Sequence, residues 1–242
     1  MWPVIRRYWD FDLHGYERLP AEGPAILCPN HVSFIDSVFV AASVPRNISF
    51  VGKAEYMDSW KTKYIFPMLG MIPIDRTGGS KARAALDTAA RVLERGELFG
   101  IYPEGTRTRD GNLHKGRTGA ARLAIETGAP IFPVGIVGTD RALPPDSVRP
   151  RRGKIKISIG RPVRPERYAQ MPERHRAYRA MIDEVMFEIR ELSGQDYVNV
   201  YSGKAEEAGE AREAARPAHV TEPVLGDDRD RDADRTLASA SV

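Results

Sequence analysis

Pro29-Asn30-His31-Val32-Ser33-Phe34-Ile35-Asp36-Ser37 follows directly on the apolar run Ala25-Ile26-Leu27-Cys28. An apolar run stopped by Pro-Asn reads as a buried strand leaving its sheet. From Ser33 onward Phe34, Ile35, Val38, Phe39 and Ala42 recur at helical spacing up to Val44, and Pro45 ends the pattern. His31 is therefore expected in the turn at the strand's end and Asp36 in the first helical turn. On one continuous helix a five-residue step would set the two side chains well apart around the axis. With His31 in the turn, its imidazole can fold back onto the carboxylate, which would fix the tautomer and leave the second ring nitrogen free as a base. Taken alone, Ser33-x-x-Asp36 reads as readily as a capping box that closes a helix start.

Outward from this turn, short apolar runs alternate with amphipathic stretches. Strands are expected at Ile48–Val51, Met71–Ile74, Leu98–Tyr102, Pro130–Val137 and Lys154–Ile159. Helices are expected over Ser80–Leu93, Gly116–Thr127 and Glu173–Leu192. Alternating strands and helices predict an α/β fold, a central mixed sheet flanked by helices. Ligands in such folds gather beyond the carboxyl ends of strands. His31, Arg76 and the Glu104–Arg107 stretch each fall just past a strand end. Arg76, Arg107 and Lys115 form the expected anion clamp, because Arg grips phosphate bidentately and Lys acts as a point charge. Arg109 and Arg117 either contact the 3′-phosphate of CoA or an acidic carrier protein, or face water.

The chain has 242 residues, enough for one substantial core. Residues 203–242 hold 6 basic and 10 acidic residues, and residues 1–202 hold 30 and 23. A body of charge +7 suits anionic partners such as phosphorylated substrates, an acidic carrier protein or an anionic lipid surface. No nucleic-acid-binding motif accompanies that charge, so nucleic acid is not an expected partner. No run approaches the ~20 apolar residues needed to span a bilayer, and no secretory signal is recognised, so a cytoplasmic location is expected. Cys28 is the one cysteine, which leaves no internal disulfide and no cysteine-based zinc site. It belongs to a buried strand and is expected to be inert, not a nucleophile for His31. Metal binding by His31 and Asp36 is not expected, for want of a third ligand at a recognised spacing.

Three divisions follow. Residues 1–22 carry Trp2, Tyr8, Trp9, Phe11 and Tyr16 among Arg6, Arg7 and Arg18, which fits either a membrane-interface segment or one packed on the domain. Residues 23–202 form the main domain. Within it, Met57–Leu69 is apolar and aromatic, either core or the wall of a channel for a fatty chain. Residues 203–242 lack large apolar side chains and are expected to be disordered. His14 has no expected partner nearby and is read as incidental, and His175 is expected on the solvated, charged side of the last helix.

Three further blocks follow the His31 turn in order: Gly70-Met71-Ile72-Pro73-Ile74-Asp75-Arg76, Tyr102-Pro103-Glu104-Gly105-Thr106-Arg107 and Ala129-Pro130-Ile131-Phe132-Pro133-Val134-Gly135. The ordered set of four, from about Gly23 to Gly160, resembles the glycerolipid acyltransferase family, whose best-known member is 1-acyl-glycerol-3-phosphate acyltransferase. The resemblance implies that family's sandwich fold, a catalytic His31 with Asp36 as its orienting partner, and no covalent acyl-enzyme. It implies substrate binding by Arg76, Glu104, Gly105, Thr106, Arg107 and Lys115, with Pro133 toward the acyl donor. For Glu104 it leaves two roles, a bond to the acceptor's other hydroxyl or a salt bridge to a motif arginine. The implied reaction moves a fatty acyl group from acyl-CoA or acyl-carrier protein to 1-acyl-glycerol-3-phosphate, giving phosphatidic acid, with no cofactor. The enzyme would work as a peripheral protein on the inner face of the cell membrane. Pro73 stands where many members carry an aromatic residue, a departure that bears on acceptor or acyl specificity. Two other readings use the same residues: acylation of another lyso-lipid or lipid-linked alcohol, and a thioesterase or lipid hydrolase that activates water.

Overall fold

A computed structural model describes residues 2–53, 71–74, 79–144, 147 and 149–202. Arg76, the Met57–Leu69 stretch and the 203–242 tail lie outside them. The chain begins with helix α1 (Trp2–Tyr8) and strand β1 (Asp10–His14), then β2 (Ala25–Pro29), α2 (Asp36–Ser43), β3 (Ile48–Lys53) and β4 (Met71–Ile74). It continues through α3 (Gly79–Glu94), β5 (Leu98–Gly100), β6 (Leu113–His114), α4 (Gly119–Thr127) and β7 (Ile131–Val137). It closes with α5 (Thr139–Ala142), β8 (Lys154–Ile159), α6 (Glu166–Ala169), α7 (Arg174–Ser193) and β9 (Tyr197–Val198). Seven strands form one mixed sheet in the order β1-β8-β7-β2-β5-β3-β4. All neighbours run parallel except β7 and β8, which are antiparallel. The short strands β6 and β9 pair apart from it.

β2 is the central strand of the seven, flanked by β7 and β5, and all five of its residues are buried. Full burial on both faces is why Ala25–Cys28 is continuously apolar instead of alternating. Its side chains still divide by parity. Ile26 and Cys28 join one apolar cluster with Ala89, Leu123, Ile182 and Val185 from α3, α4 and α7. Ala25 and Leu27 join the other, with Ile5 from α1 and Phe39 and Val40 from α2. The expected sandwich is thus present, and the carboxyl end of β2 opens into the His31 turn.

Several boundaries differ from expectation for local reasons. α2 begins at Asp36, not Ser33, because residues 33–35 form a turn that Asp36 itself holds. α4 begins at Gly119, not Gly116, because the preceding backbone is committed elsewhere: Lys115 N–H donates to Val200 O (3.1 Å) and Arg117 N–H to Pro103 O (2.7 Å). Of the two readings of the N-terminal segment, packing on the domain describes Trp9 and Asp10–His14. β1 pairs with β8 from Asp10↔Lys154 to His14↔Ser158, and the Trp9 ring meets Phe39 edge-on at 5.0 Å. His14, read as partnerless, lies 2.6 Å from the Asp12 carboxylate. His175 is exposed.

Gly135 records how closely α7 lies on β7. A Cβ at that position would stand 2.5 Å from Leu192 Cβ and 2.6 Å from the Leu192 backbone carbonyl carbon. Helix backbone cannot yield as a side-chain tip can. Gly135→Ala is expected to cost about 1–3 kcal/mol through overpacking and to lower the thermal midpoint by several degrees; an unchanged midpoint would show that the helix slides freely.

Candidate active site

The end of β2 and the start of α2 build the central pair. Asp36 is fully buried, and its Oδ2 lies 2.8 Å from His31 Nδ1. The same oxygen accepts the Val32 N–H (2.9 Å) and the Ser33 N–H (2.8 Å). The Ser33 hydroxyl donates away, to Leu143 O (2.9 Å). Asp36 therefore does both jobs considered for it: it ties up the turn's N–H groups and it meets the imidazole. Because Nδ1 faces a carboxylate, it carries the ring proton, and Nε2 is left with its lone pair. The His31 side chain keeps 17% of its exposure.

Three supports fix the ring. Tyr102 stacks on it at 3.8 Å with 16° between planes, and the Tyr102 hydroxyl bonds the Ser37 hydroxyl (2.8 Å). Phe50 stacks behind Tyr102 at 5.8 Å. Gly100 makes room for Phe50, since a Cβ there would fall 2.1 Å from the Phe50 ring. Burial, with the Asp36 charge adding to it, raises the Tyr102 phenol well above its ordinary range, so it stays protonated.

Glu104 holds the turn from below. Its Oε1 accepts the His31 N–H (3.2 Å) and its Oε2 the His114 N–H (2.9 Å), while Thr108 N–H donates to His31 O (2.8 Å). Neither expected role for Glu104, a bond to the acceptor hydroxyl or a salt bridge to an arginine, matches a carboxylate that is 1% exposed with both oxygens taken by backbone. Desolvation lifts it to about 7, against those two N–H groups, which favour the ionised form.

The remaining residues spread more widely. Arg107 is half-buried beside the Thr108 contact, and no ion pair to it is found among the described residues. Lys115 directly follows His114, and its Nζ lies 5.7 Å from the centre of the Tyr201 ring. Thr106 is exposed. Gly105 has φ 80°, and a Cβ on it would stand 2.9 Å from Arg117 Nε, so a side chain of the protein itself lies against it. Pro133 lies inside β7 opposite Cys28 and is buried in the sheet. Burial pushes the Cys28 thiol far above its usual range, which leaves it unreactive. Among the described residues no three His, Cys, Asp or Glu side chains gather as metal ligands.

Asn30 and Gln195 emerge only from the structure. Buried Asn30 spans Ile136, accepting its N–H (2.7 Å) and donating to its carbonyl (2.9 Å), and also donates to Gln195 Oε1 (2.7 Å). Gln195 Nε2 in turn donates to Gly111 O (2.7 Å). The Pro-Asn step marked a turn, but nothing local pointed to a partner more than 100 residues away.

A buried His–Asp pair at the carboxyl edge of an α/β sheet, backed by cationic loops, defines a class, and comparison with known proteins specifies it. The family model for acyltransferases matches residues 10–137. The chain belongs to the acyltransferase family. It is 26% identical over 187 residues to the 1-acyl-sn-glycerol-3-phosphate acyltransferase of Bacillus subtilis, covering 76% of this chain and 88% of that one. It is 27% identical over 167 residues to the chloroplastic 1-acyl-sn-glycerol-3-phosphate acyltransferase BAT2 of Brassica napus, covering 67% of this chain and 48% of that one. The chain spans about half the length of the plant relatives it matches. Its fold is similar to the crystal structure of the 1-acyl-sn-glycerophosphate acyltransferase PlsC from Thermotoga maritima, with a TM-score of 0.63, 24% identity and 79% of each chain covered.

Because Glu104 is raised from 4.5 to about 7, the folded chain holds a proton there that the unfolded chain has released. Its contribution to stability is full below pH 4.5 and is lost as pH rises through 7, at no more than about 1.4 kcal/mol per pH unit. Glu104→Gln, which resembles the protonated acid, removes that slope. Denaturant titrations of both proteins from pH 4.5 to 8 check this, and parallel curves would contradict it.

Proposed function

We propose that the chain transfers a fatty acyl group from the thioester of acyl-CoA or acyl-carrier protein to the free hydroxyl of 1-acyl-glycerol-3-phosphate, giving phosphatidic acid in phospholipid biosynthesis. The observation that carries this reading is the 2.8 Å contact between His31 Nδ1 and fully buried Asp36, which leaves Nε2 as a fixed base. The activities for which the relatives are named support the acceptor.

In this reading His31 Nε2 takes the acceptor's hydroxyl proton as the oxygen attacks the thioester carbonyl carbon. Asp36 stabilises the imidazolium that forms. The tetrahedral intermediate collapses with cleavage of the C–S bond, and the departing thiolate receives the proton from His31. A thioester is already activated, so the step balances without a cofactor. Arg107 and Lys115, with Arg76 from the second block, hold the acceptor's phosphate. Glu104 and Tyr102 position His31 and touch no substrate. The lipid acceptor places the reaction at a membrane surface, which a body of charge +7 suits when that surface is anionic. The proposed location is the inner face of the cell membrane, with the protein bound peripherally.

His31→Ala is expected to lower acyl transfer by about 10²–10⁴-fold, and Asp36→Asn by a similar amount through loss of the tautomer. Transfer of labelled acyl groups from acyl-CoA and acyl-carrier protein to a panel of lyso-acceptors measures both. Wild-type rates in either variant would remove the pair from the mechanism. Free fatty acid as the main product would favour hydrolysis over transfer.

A further inference from the structure

The segment after α7 runs back along β6 and brings an aromatic ring to two cations. Leu113 N–H donates to Asp196 O (2.8 Å) and Lys115 N–H to Val200 O (3.1 Å). This pairing seats half-buried Tyr201 with Lys115 Nζ 5.7 Å and Arg117 Cζ 5.3 Å from its ring centre. From the other side, the missing side chain of Gly105 leaves space that the Arg117 guanidinium fills. Among the described residues neither Lys115 nor Arg117 has a carboxylate within ion-pair distance. Two like charges on one ring repel each other. The face of the ring offsets part of that, and a multivalent oxyanion, gripped by a guanidinium fork and an ammonium, offsets the rest.

We propose that Tyr201 is a positioning residue that holds Lys115 and Arg117 together as a phosphate subsite. Tyr201 lies beyond residues 10–137, so the family match does not carry it. The ligand class is a phosphate ester, which both the headgroup of the lyso-acceptor and the nucleotide of the donor contain. The subsite's part in turnover rests on the acyl-transfer reading; its affinity for phosphate does not.

The full-length protein and its Tyr201→Leu, Tyr201→Phe and Gly105→Ala variants are titrated calorimetrically with inorganic pyrophosphate at low salt, and KM and kcat are measured for acceptor and donor. Tyr201→Leu is expected to weaken pyrophosphate binding about five- to tenfold, as two cation–π contacts are lost, and Tyr201→Phe to stay within about twofold. Gly105→Ala, which displaces Arg117 without touching the ring, is expected to weaken binding as well. A raised KM with near-constant kcat supports the proposal, and the substrate whose KM rises, acceptor or donor, identifies the phosphate. Undiminished pyrophosphate affinity in Tyr201→Leu overturns it. So does a loss in Tyr201→Phe equal to that in Tyr201→Leu, or a fall in kcat with both KM values unmoved. If the wild type transfers no acyl group while pyrophosphate affinity still follows the ring, the subsite stands and the acyl-transfer reading falls.

Discussion

A carboxylate sealed from water must find donors or lose its charge, and that demand on Asp36 shapes the whole turn after β2. One oxygen, Oδ2, collects the N–H groups of Val32 and Ser33 and the Nδ1 of His31. Those three donors come from consecutive residues, so satisfying the charge also fixes where the chain turns and how the imidazole points. The strand, the turn and the helix start are one solution to one electrostatic problem. Replacing the acid disturbs the backbone and the ring together.

Around that charge, contacts of different kinds converge on the same ring. Gly100 yields space to Phe50, Phe50 backs Tyr102, and Tyr102 stacks on His31. Glu104 and Thr108 hold the His31 backbone from the loop after β5. Asn30, just before His31, anchors itself to Ile136 of β7. The supports come from β3, from the end of β5 with the loop after it, and from β7, so the imidazole is held by several parts of the sheet and not by its own loop alone.

The legible parts of this architecture are those encoded within a few residues. Ala25–Cys28 followed by Pro29-Asn30 announces a buried strand and a turn, and the His31–Asp36 spacing announces the pair. The apolar repeat of α7 shows Ile182, Val185, Met186 and Ile189 facing inward, as they do. What stayed hidden depends on partners distant in sequence. β1 is a strand because β8, some 144 residues later, offers it an edge. β6 and β9 are two residues each, too short for any periodicity to register. Glu104 carries an acidic motif position, yet the fold spends it on backbone N–H groups that no pattern could reveal. Gln195 and Tyr201 sit in a segment without local signal, and only the return of the chain past β6 brings Gln195 to Asn30 and Tyr201 to Lys115 and Arg117.

The single antiparallel step in the sheet, between β7 and β8, has a geometric corollary. β8 and β1 begin on the rim where β7 and β2 finish, so β1 starts on the same edge as the His31 turn. Trp9 marks the spot, with its indole N–H on Arg151 O (2.8 Å) and its ring against α2, the helix that Asp36 opens. The opposite rim, where β2 and β5 start, is the side on which a surface tether leaves the His31 edge unobstructed.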